Sequence, residues 1–377
     1  MNEIMRKIFL AFIFSLSASS LFAQVQNPSL GQLEDSNPII TAVPFLMIAP
    51  DARSGGMGDV GGAISPDANS MHWNIGKMAF IENNFGASLS YTPWLGKIVD
   101  DMNIAYLALY YKLDDLQAIS GSLRYFDLGD ITFTDENNQI IRPYNPQEYA
   151  FDLSYSRKLS DKLGIGVTGR FIHSNLTGDG VNGLDTKPGN SLAADIGLYY
   201  TSDLAVGARQ GSLAFAAVVS NIGNKISYLD ESTENFIPTN LRLGTAYTAS
   251  LDPYNKITLA VDLNKLLVPT PPTDPNRSLV SGIFTSFSDA PGGFSEEAKE
   301  VNIASGLEYW YNDLFAARTG YFWEHGEKGG RQFFTLGVGL RYQVFSMDFA
   351  YLIPQQQQHP LAETLRFTLG VNFGGDN

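Results

Sequence analysis

Alternation of apolar and polar side chains with a period of two residues is the feature that most constrains the fold of this chain. It recurs from residue 85 onward in segments of about ten residues, the length typical of strands that cross an outer membrane. In residues 149–156, Tyr, Phe, Leu and Tyr alternate with Ala, Asp, Ser and Ser. The pattern returns in residues 163–171, 257–264, 334–342 and 365–373. Because successive side chains of a strand point to opposite faces, this alternation predicts β-strands.

The connections between these segments separate a soluble sandwich from a membrane barrel. Fourteen strands are predicted, near residues 85–92, 102–112, 117–126, 148–158, 163–174, 191–202, 211–221, 240–252, 256–265, 300–312, 314–324, 332–343, 345–352 and 363–373. Tight turns at 113–115, 160–162, 252–255 and 312–313 alternate with long loops at 127–147, 175–190, 222–239, 266–299 and 353–362. Sorting of short turns and long loops onto opposite rims is typical of outer-membrane barrels. We therefore predict an all-β fold, a fourteen-stranded antiparallel transmembrane barrel over residues 85–373, with a short tail at 374–377.

An even number of strands also predicts the orientation of the barrel. Both ends of the barrel then lie on the rim of short turns, which we expect in the periplasm, with the long loops outside the cell. Aromatic residues cluster near predicted strand ends, as expected of girdles at the two membrane interfaces. Examples are Tyr110 and Tyr111, Tyr199 and Tyr200, and Trp310 and Tyr311. Only 17% of residues are charged, against about 25% in average soluble domains.

The N-terminus predicts export. Arg6 and Lys7 precede an apolar run at residues 8–22, and Ala23 stands where a signal peptidase would cut. The run is shorter than the ~20 residues that a spanning helix needs. Residues 1–23 are therefore interpreted as a secretory signal peptide.

Residues 24–84 do not share the alternation. They contain five prolines, a dense glycine cluster and an apolar stretch at residues 39–48. This segment is too apolar for a solvated tail, so we expect it to pack inside the lumen of the barrel.

Within this segment, Gly56, Gly58 and Gly61 form a literal G-x-G-x-x-G. Such a fingerprint binds dinucleotides only between a strand and a helix, and no such unit surrounds it. A second copy at residues 164–169 lies inside a predicted strand, which shows how weak the pattern is. We interpret the glycines as part of a lumenal plug motif, because glycine permits close backbone approach and positive φ. The motif comprises Asp51, Arg53, Gly56, Gly58, Asp59, Gly61, Trp73 and Asn74. Asp51, Arg53 and Asp59 are expected to pair with lumen-facing groups such as Arg170 or Asp262.

Composition argues against several classes of function. The net charge of −14 is unlike that of a nucleic-acid-binding protein, which needs a basic surface. The chain has no cysteine, and its four histidines form no metal-binding motif, so no metal site or cofactor is predicted. His173 and Ser174 are neighbours on a predicted strand and therefore point to opposite faces, which makes a poor base–nucleophile pair. The sequence thus does not predict an enzyme.

The long loops contain acidic and proline-rich stretches. The 266–299 loop is longer than a simple connection requires, and loops of this length are usually functional or disordered. A solvated surface explains the acidic residues, but they are also candidates for a docking face for an external partner. The candidate partner-binding residues are Asp135, Glu136, Asp230, Glu231, Pro271, Pro272, Asp289, Glu296 and Glu297.

Residues 49–80 resemble a known family. The stretch APDARSGGMG at 49–58, followed by DANS at 67–70 and HWN at 72–74, is similar to the N-terminal signature of the PorV/PorQ family. These proteins are relatives of the FadL-type fatty-acid transporters, and residues 41–46 and 365–373 resemble the PorV branch. The resemblance implies a fourteen-stranded outer-membrane barrel whose N-terminal segment folds into the lumen.

The resemblance also implies a function. A member of this family would bind the C-terminal signal domain of secreted cargo in type IX secretion. It would collect that cargo at the translocon barrel and pass it to the surface attachment complex, while contacting outer-membrane lipid. Two alternatives stay open: a FadL-like transporter of hydrophobic small molecules, in which residues 39–48 gate the lumen, and an outer-membrane lipid deacylase.

Overall fold

The computed structural model describes residues 37–96, 99, 101–134, 139–176, 178, 186–207, 209–229, 234–272, 274, 277–355 and 364–374. The predicted signal peptide and residues 24–36 of the predicted lumenal segment lie outside this part of the chain. No helix within the described residues is both long and apolar enough to span a membrane.

Fourteen antiparallel strands close into a barrel, and two further strands form a separate hairpin. The barrel strands are β1 (Phe85–Pro93), β2 (Asn103–Asp114), β3 (Gln117–Asp127), β6 (Gln147–Lys158), β7 (Leu163–Asn175), β8 (Gly189–Asp203), β9 (Gly211–Gly223), β10 (Asn240–Ser250), β11 (Asn255–Leu266), β12 (Val301–Tyr311), β13 (Phe315–Trp323), β14 (Gln332–Tyr342), β15 (Phe345–Pro354) and β16 (Leu365–Phe373). The ring closes where β1 pairs with both β2 and β16, with Phe85 opposite Tyr111 and Phe373. Closure leaves no strand edge in the wall, as a spanning sheet requires. The predicted fourteen-stranded antiparallel barrel is confirmed.

The hairpin was not predicted. Strands β4 (Ile131–Thr134) and β5 (Ile140–Tyr144) pair inside the loop between β3 and β6. The long connection predicted over residues 127–147 therefore contains a pair of strands that the sequence did not indicate. Phe133 stacks on Tyr144 at 6.1 Å within the hairpin, and the Tyr144 hydroxyl donates to the Asn175 carbonyl at the end of β7, at 3.2 Å.

Short turns and long loops lie on opposite rims. The turns after β2, β6, β8, β10, β12 and β14 share one rim with the start of β1 and the end of β16. The long loop between β11 and β12 contains helices α3 (Leu279–Thr285) and α4 (Phe294–Lys299). A 3₁₀ turn, Gly326–Lys328, lies in the loop between β13 and β14.

The wall is polar inside and apolar outside, the reverse of a soluble core. On β6, Asp152, Ser154 and Ser156 are buried in the lumen, while Phe151 and Leu153 are exposed on the outer wall. The alternation in the sequence therefore reflects apolar side chains that face lipid and polar side chains that face a filled interior.

Not every aromatic residue at a strand end belongs to an interfacial girdle. Tyr111, Tyr200 and Tyr311 are exposed on the outer wall, but Tyr110, Tyr199 and Trp310 are buried inside. The expectation that each pair lies in a girdle was therefore wrong for its inner member, because neighbours on a strand face opposite sides.

Residues 41–81 fill the lumen as a plug built of short turns. The plug contains helices α1 (Ala52–Gly55) and α2 (Ser70–Trp73) and the 3₁₀ helices Pro44–Met47 and Ile75–Phe80. Phe45, Met57 and Met78 are fully buried against apolar patches of the inner wall. The plug itself therefore supplies much of the core of the molecule.

Candidate functional site

Asp51 organises the start of the plug motif. Its Oδ2 accepts a hydrogen bond from the Ser54 backbone N–H at 2.9 Å, which caps helix α1. Its Oδ1 accepts one from Trp73 Nε1 at 2.6 Å. One buried carboxylate thus joins two turns of the plug that are distant in sequence.

Arg53 joins the plug to the barrel wall. Its guanidinium donates five hydrogen bonds: two to Glu308 on β12 at 3.0 and 2.9 Å, one to Asp67 at 2.9 Å, and two to Ser65 at 3.1 and 2.7 Å. These contacts use all five donors of the side chain. Glu308 also accepts from Arg318 Nε on β13 at 2.7 Å. Because these charges are buried, each depends on its partners for the solvation it has lost.

The three motif glycines permit close contacts that an added Cβ would crowd or block. A Cβ on Gly61 would lie 2.1 Å from Trp73 Cδ2. Gly58 has φ +71, and a Cβ there would lie 2.6 Å from the Tyr321 backbone N of the wall. Gly56 packs on the wall at Gly337, where a Cβ would lie 3.0 Å from the Gly337 Cα. The G-x-G-x-x-G is thus a packing motif between the plug and the wall.

The partners of the plug charges differ from those expected. Asp59 pairs with Arg366 on β16 at 2.6 Å. Asp262 is a plug contact, but it accepts from the backbone N–H groups of Gly61 and Gly62, at 2.9 and 2.8 Å. Arg170 pairs instead with Asp152 and Asp195 of the wall, at 2.7 and 3.0 Å.

Trp73 and Asn74 close the motif. The Arg242 guanidinium of the wall lies over the Trp73 ring at 4.5 Å. The Asn74 amide donates to the carbonyl oxygens of Gly62 and Leu198, at 3.1 and 3.0 Å. Trp73 therefore lies between Gly61 and Arg242, while Asn74 ties the plug to β8.

Several residues of this network were not singled out from the sequence. Asp67 and Lys77 of the plug, and Glu308 and Arg318 of the wall, complete it. Lys77 Nζ donates to the carbonyl oxygens of Gly61 and Ile64, at 2.7 and 3.3 Å. The sequence did contain a signal for the two wall residues, since a charged residue within an alternating strand indicates a side chain that faces the lumen.

The plug leaves little free space among the described residues. Two enclosed polar cavities in the lumen have volumes of about 30 and 10 Å³. A single water needs roughly 10–15 Å³. The second G-x-G-x-x-G contributes to this filling, because Gly164 and Gly166 pack on Gly76 and Ile75 of the plug.

The acidic candidates in the loop between β11 and β12 are paired within the protein. Glu296 and Glu297 bind Lys328 and Lys265, at 2.5 and 3.0 Å, and Asp289 binds Arg277 at 2.7 Å. The Lys328 ammonium, together with hydrogen bonds from Gly292 and Asn37, lowers the pKa of Glu296 to about 2. The Pro271 carbonyl accepts from Asn37 at 3.1 Å, while Pro272 is exposed. Asp135, Glu136, Asp230 and Glu231 lie outside the described residues.

The geometry around Ser174 is not that of a hydrolase dyad. Its hydroxyl is buried and donates to Glu148 at 2.6 Å, and it also pairs with the Tyr228 hydroxyl at 2.8 Å. His173 points to the other face and pairs with Asn190. No group of three or more His, Cys, Asp or Glu side chains that could hold a metal lies within the described part of the chain.

The barrel is similar to that of a solved hydrocarbon channel. The chain is similar to the CymD monoaromatic hydrocarbon channel, with a TM-score of 0.51 and 12% identity, over 86% of this chain and 98% of that one. The Ralstonia pickettii toluene transporter TbuX gives a TM-score of 0.48 and 13% identity, over 86% of this chain and 98% of that one. A Pseudomonas aeruginosa FadL homologue gives 0.43 and 12%, over 90% of this chain and 100% of that one. At these identities, the likeness to CymD shows the fold alone.

The sequence itself matches a family. No curated protein matches the chain. Residues 31–273, which include the whole plug motif, match the family described as "Type IX secretion system protein PorV". With the closed fourteen-stranded barrel, this match makes the chain a member of the PorV family, an outer-membrane component of type IX secretion.

Proposed function

We propose that this protein binds the C-terminal signal domain of secreted cargo with its long loops and passes that cargo from the translocon to the attachment complex. Membership of the PorV family is the observation that carries the proposal. The filled lumen supports it, because a plugged barrel offers its loops rather than its interior to a partner. On this proposal the protein binds and does not catalyse.

The orientation follows from the same proposal. The start of β1 and the end of β16 share the rim of short turns. We infer that this rim faces the periplasm, from which the barrel is inserted, and that the long loops face outward.

The docking surface that we infer is apolar rather than acidic. Three of the acidic residues that we first considered, Asp289, Glu296 and Glu297, form ion pairs within the protein, so they offer little free charge. The same loop exposes large apolar side chains. We define the loop surface as Val280, Phe284, Phe287 and Phe294.

Helix α3 turns Gly282 inward and leaves Val280 and Phe284 exposed. Gly282 is buried against Phe236, where a Cβ would lie 2.9 Å from the ring. Val280 and Phe284 stand two residues to either side of Gly282, about 200° round the helix from it. Phe284 is therefore 73% exposed, and Phe294 on α4 is 88% exposed. Large apolar side chains exposed together in one loop are candidates for an interaction site.

The experiment replaces Phe284 and Phe294 together by Ser and measures capture of a purified cargo C-terminal domain by the detergent-solubilised protein. Capture should fall at least about tenfold, since buried aromatic residues dominate interface energetics. The matched control replaces Ile140 and Ile141 by Ser. Both are also exposed, and they lie in β5, within the loop between β3 and β6. Unchanged capture by the Phe variant, or an equal loss in the Ile control, would contradict the loop surface as the docking site.

A carrier of hydrophobic small molecules is the alternative function. A hydrocarbon channel shares the fold, but the lumenal cavities bordered by the described residues, of about 30 and 10 Å³, are too small for such a ligand. We therefore favour cargo binding.

A further inference from the structure

The outer wall of the barrel contains an open apolar concavity that neither the plug nor the loops explain. It has a volume of about 490 Å³ and lies where β14, β15, β16 and β1 adjoin. Ligand pockets typically measure about 300–1,000 Å³. Because it opens outward through the lipid-facing wall, we call it the wall groove.

The strand register explains how the wall groove forms. One row of side chains across the wall reads Leu107, Leu89, Leu369, Met347 and Leu340. In the next row toward the short turns, Ala87 and Val371 lie opposite each other. Phe345 and Tyr342 follow on the neighbouring strands. Two small residues among large ones leave a depression in an otherwise even surface.

Aromatic side chains bound the wall groove on the side of the short turns. Phe85 stacks on Phe373 at 6.1 Å, and both are exposed on the outer wall. Tyr342 is exposed beside them at the same rim. Aromatic rings of this kind sit at the level of lipid headgroups. The wall groove therefore begins near the headgroups and runs toward the middle of the bilayer.

The floor of the wall groove is thin and separates the apolar outer surface from a polar cavity in the lumen. Ala87, Ser88, Ser346 and Gly370 line both the wall groove and the polar lumenal cavity of about 30 Å³. Arg53 and Asp67 of the plug border that cavity. Only small residues thus stand between the bilayer and the buried charge network.

We propose that the wall groove binds one acyl chain of a phospholipid from the leaflet at the short-turn rim. The wall groove is continuous with the lipid-facing surface, and its lining is almost wholly apolar. A chain already in the bilayer gains no hydrophobic transfer energy here, so van der Waals contact is the driving term. If the wall groove were empty, the side chains that line it would lose their van der Waals contacts. The leaflet assignment rests on the proposed orientation, while the binding itself does not.

Native mass spectrometry of the protein extracted in mild detergent and supplied with phosphatidylethanolamine tests the proposal. The wild type should retain one phospholipid at collision energies that strip the others. Ala87→Phe fills the wall groove and should lose that lipid. Ala194→Phe is the matched control, because Ala194 is an alanine on the outward-facing side of β8, outside the wall groove. It should retain the lipid as the wild type does.

A second variant covers the case in which Ala87→Phe fails to fold. Leu369→Ala widens the wall groove without adding bulk and should weaken lipid retention at least about threefold, since the lining loses contacts with the chain. Heat-modifiable migration on gels checks that each barrel is folded.

Three results would overturn the proposal. They are retention of the lipid by both wall-groove variants, equal loss in Ala194→Phe, and a tightly held lipopolysaccharide in place of a phospholipid. Loss of a membrane protein partner with unchanged lipid would identify a protein-docking face instead. Capture of cargo is measured in parallel and should be unaffected, so failure here is distinguishable from failure of the proposed function.

Discussion

At the scale of residues, the plug motif is a set of buried contacts that each need one residue type. Arg53 satisfies two carboxylates and a serine with its five donors, which a lysine could not do in the same fork geometry. Gly61 admits the Trp73 ring, which in turn reaches Asp51. The motif is specific because its members are close-packed, not because they bind a cofactor.

Loss of Arg53 should destabilise the barrel strongly. Arg53→Met leaves Asp67 unpaired and removes a bidentate partner from Glu308, and breaking a buried pair costs about 3–5 kcal/mol. Urea unfolding in lipid vesicles, followed by tryptophan fluorescence, measures the change. Lys256→Ala breaks the exposed pair with Asp313 and should change stability by less than about 1 kcal/mol. Comparable losses in both variants would show that the plug network does not stabilise the fold.

The two G-x-G-x-x-G copies supply a matched pair of glycine substitutions. Gly61→Ala places a methyl group 2.1 Å from Trp73, whereas a Cβ on Gly169 meets nothing within 4 Å. Overpacking costs about 1–3 kcal/mol, so Gly61→Ala should lower the urea midpoint. Gly169→Ala should leave it unchanged or raise it slightly. An unchanged midpoint for Gly61→Ala would mean that the plug repacks freely.

At the scale of elements, the loop between β11 and β12 is a small folded unit tied down by ion pairs. Lys265 at the end of β11 binds Glu297 and Glu300, and Lys328 of the neighbouring loop binds Glu296 and Glu300. These contacts hold α3 and α4 so that their apolar side chains face outward. We therefore infer that the acidic residues fix the shape of the loop and that the exposed aromatic residues of the loop surface bind cargo.

This anchoring predicts a dependence on pH. The pKa of Glu296 falls from 4.5 to about 2 in the folded loop. Its contact with Lys328 therefore stabilises the loop above pH 4.5 and is lost as the pH falls toward 2. Because the chain has no cysteine, a fluorophore on Ser281→Cys reports on this loop alone. Its emission should change in acid, and Lys328→Met should move that change to higher pH. An identical titration in both backgrounds would exclude this anchor.

At the scale of the whole molecule, the barrel is a closed container whose interior is already occupied. The plug connects to opposite sides of the wall through Glu308 on β12, Leu198 on β8 and Arg366 on β16. Partners and lipids can therefore contact only the surfaces that stay accessible, which are the long loops and the lipid-facing wall.

A filled lumen predicts a barrel that does not conduct. In planar bilayers the wild type should show no steady ion conductance, because its enclosed lumenal cavities each hold about one or two waters. Liposome swelling with small sugars should likewise show no entry, with a general porin as the positive control. Steady single-channel currents from the wild type would revive the transporter alternative.

The sequence alone determined the barrel, its strand count and the sorting of its loops, because a period of two and the connection lengths are local properties of the chain. It also marked the plug motif between Asp51 and Asn74. Only the tertiary structure decided that Arg53 meets Glu308 rather than Asp262, and that Glu297 lies inside a loop instead of on a docking face. The sequence also did not predict the hairpin of β4 and β5, the outward face of α3 or the wall groove. Each depends on which side chains meet across the register of a closed wall, and that register is fixed by the packing of the whole barrel.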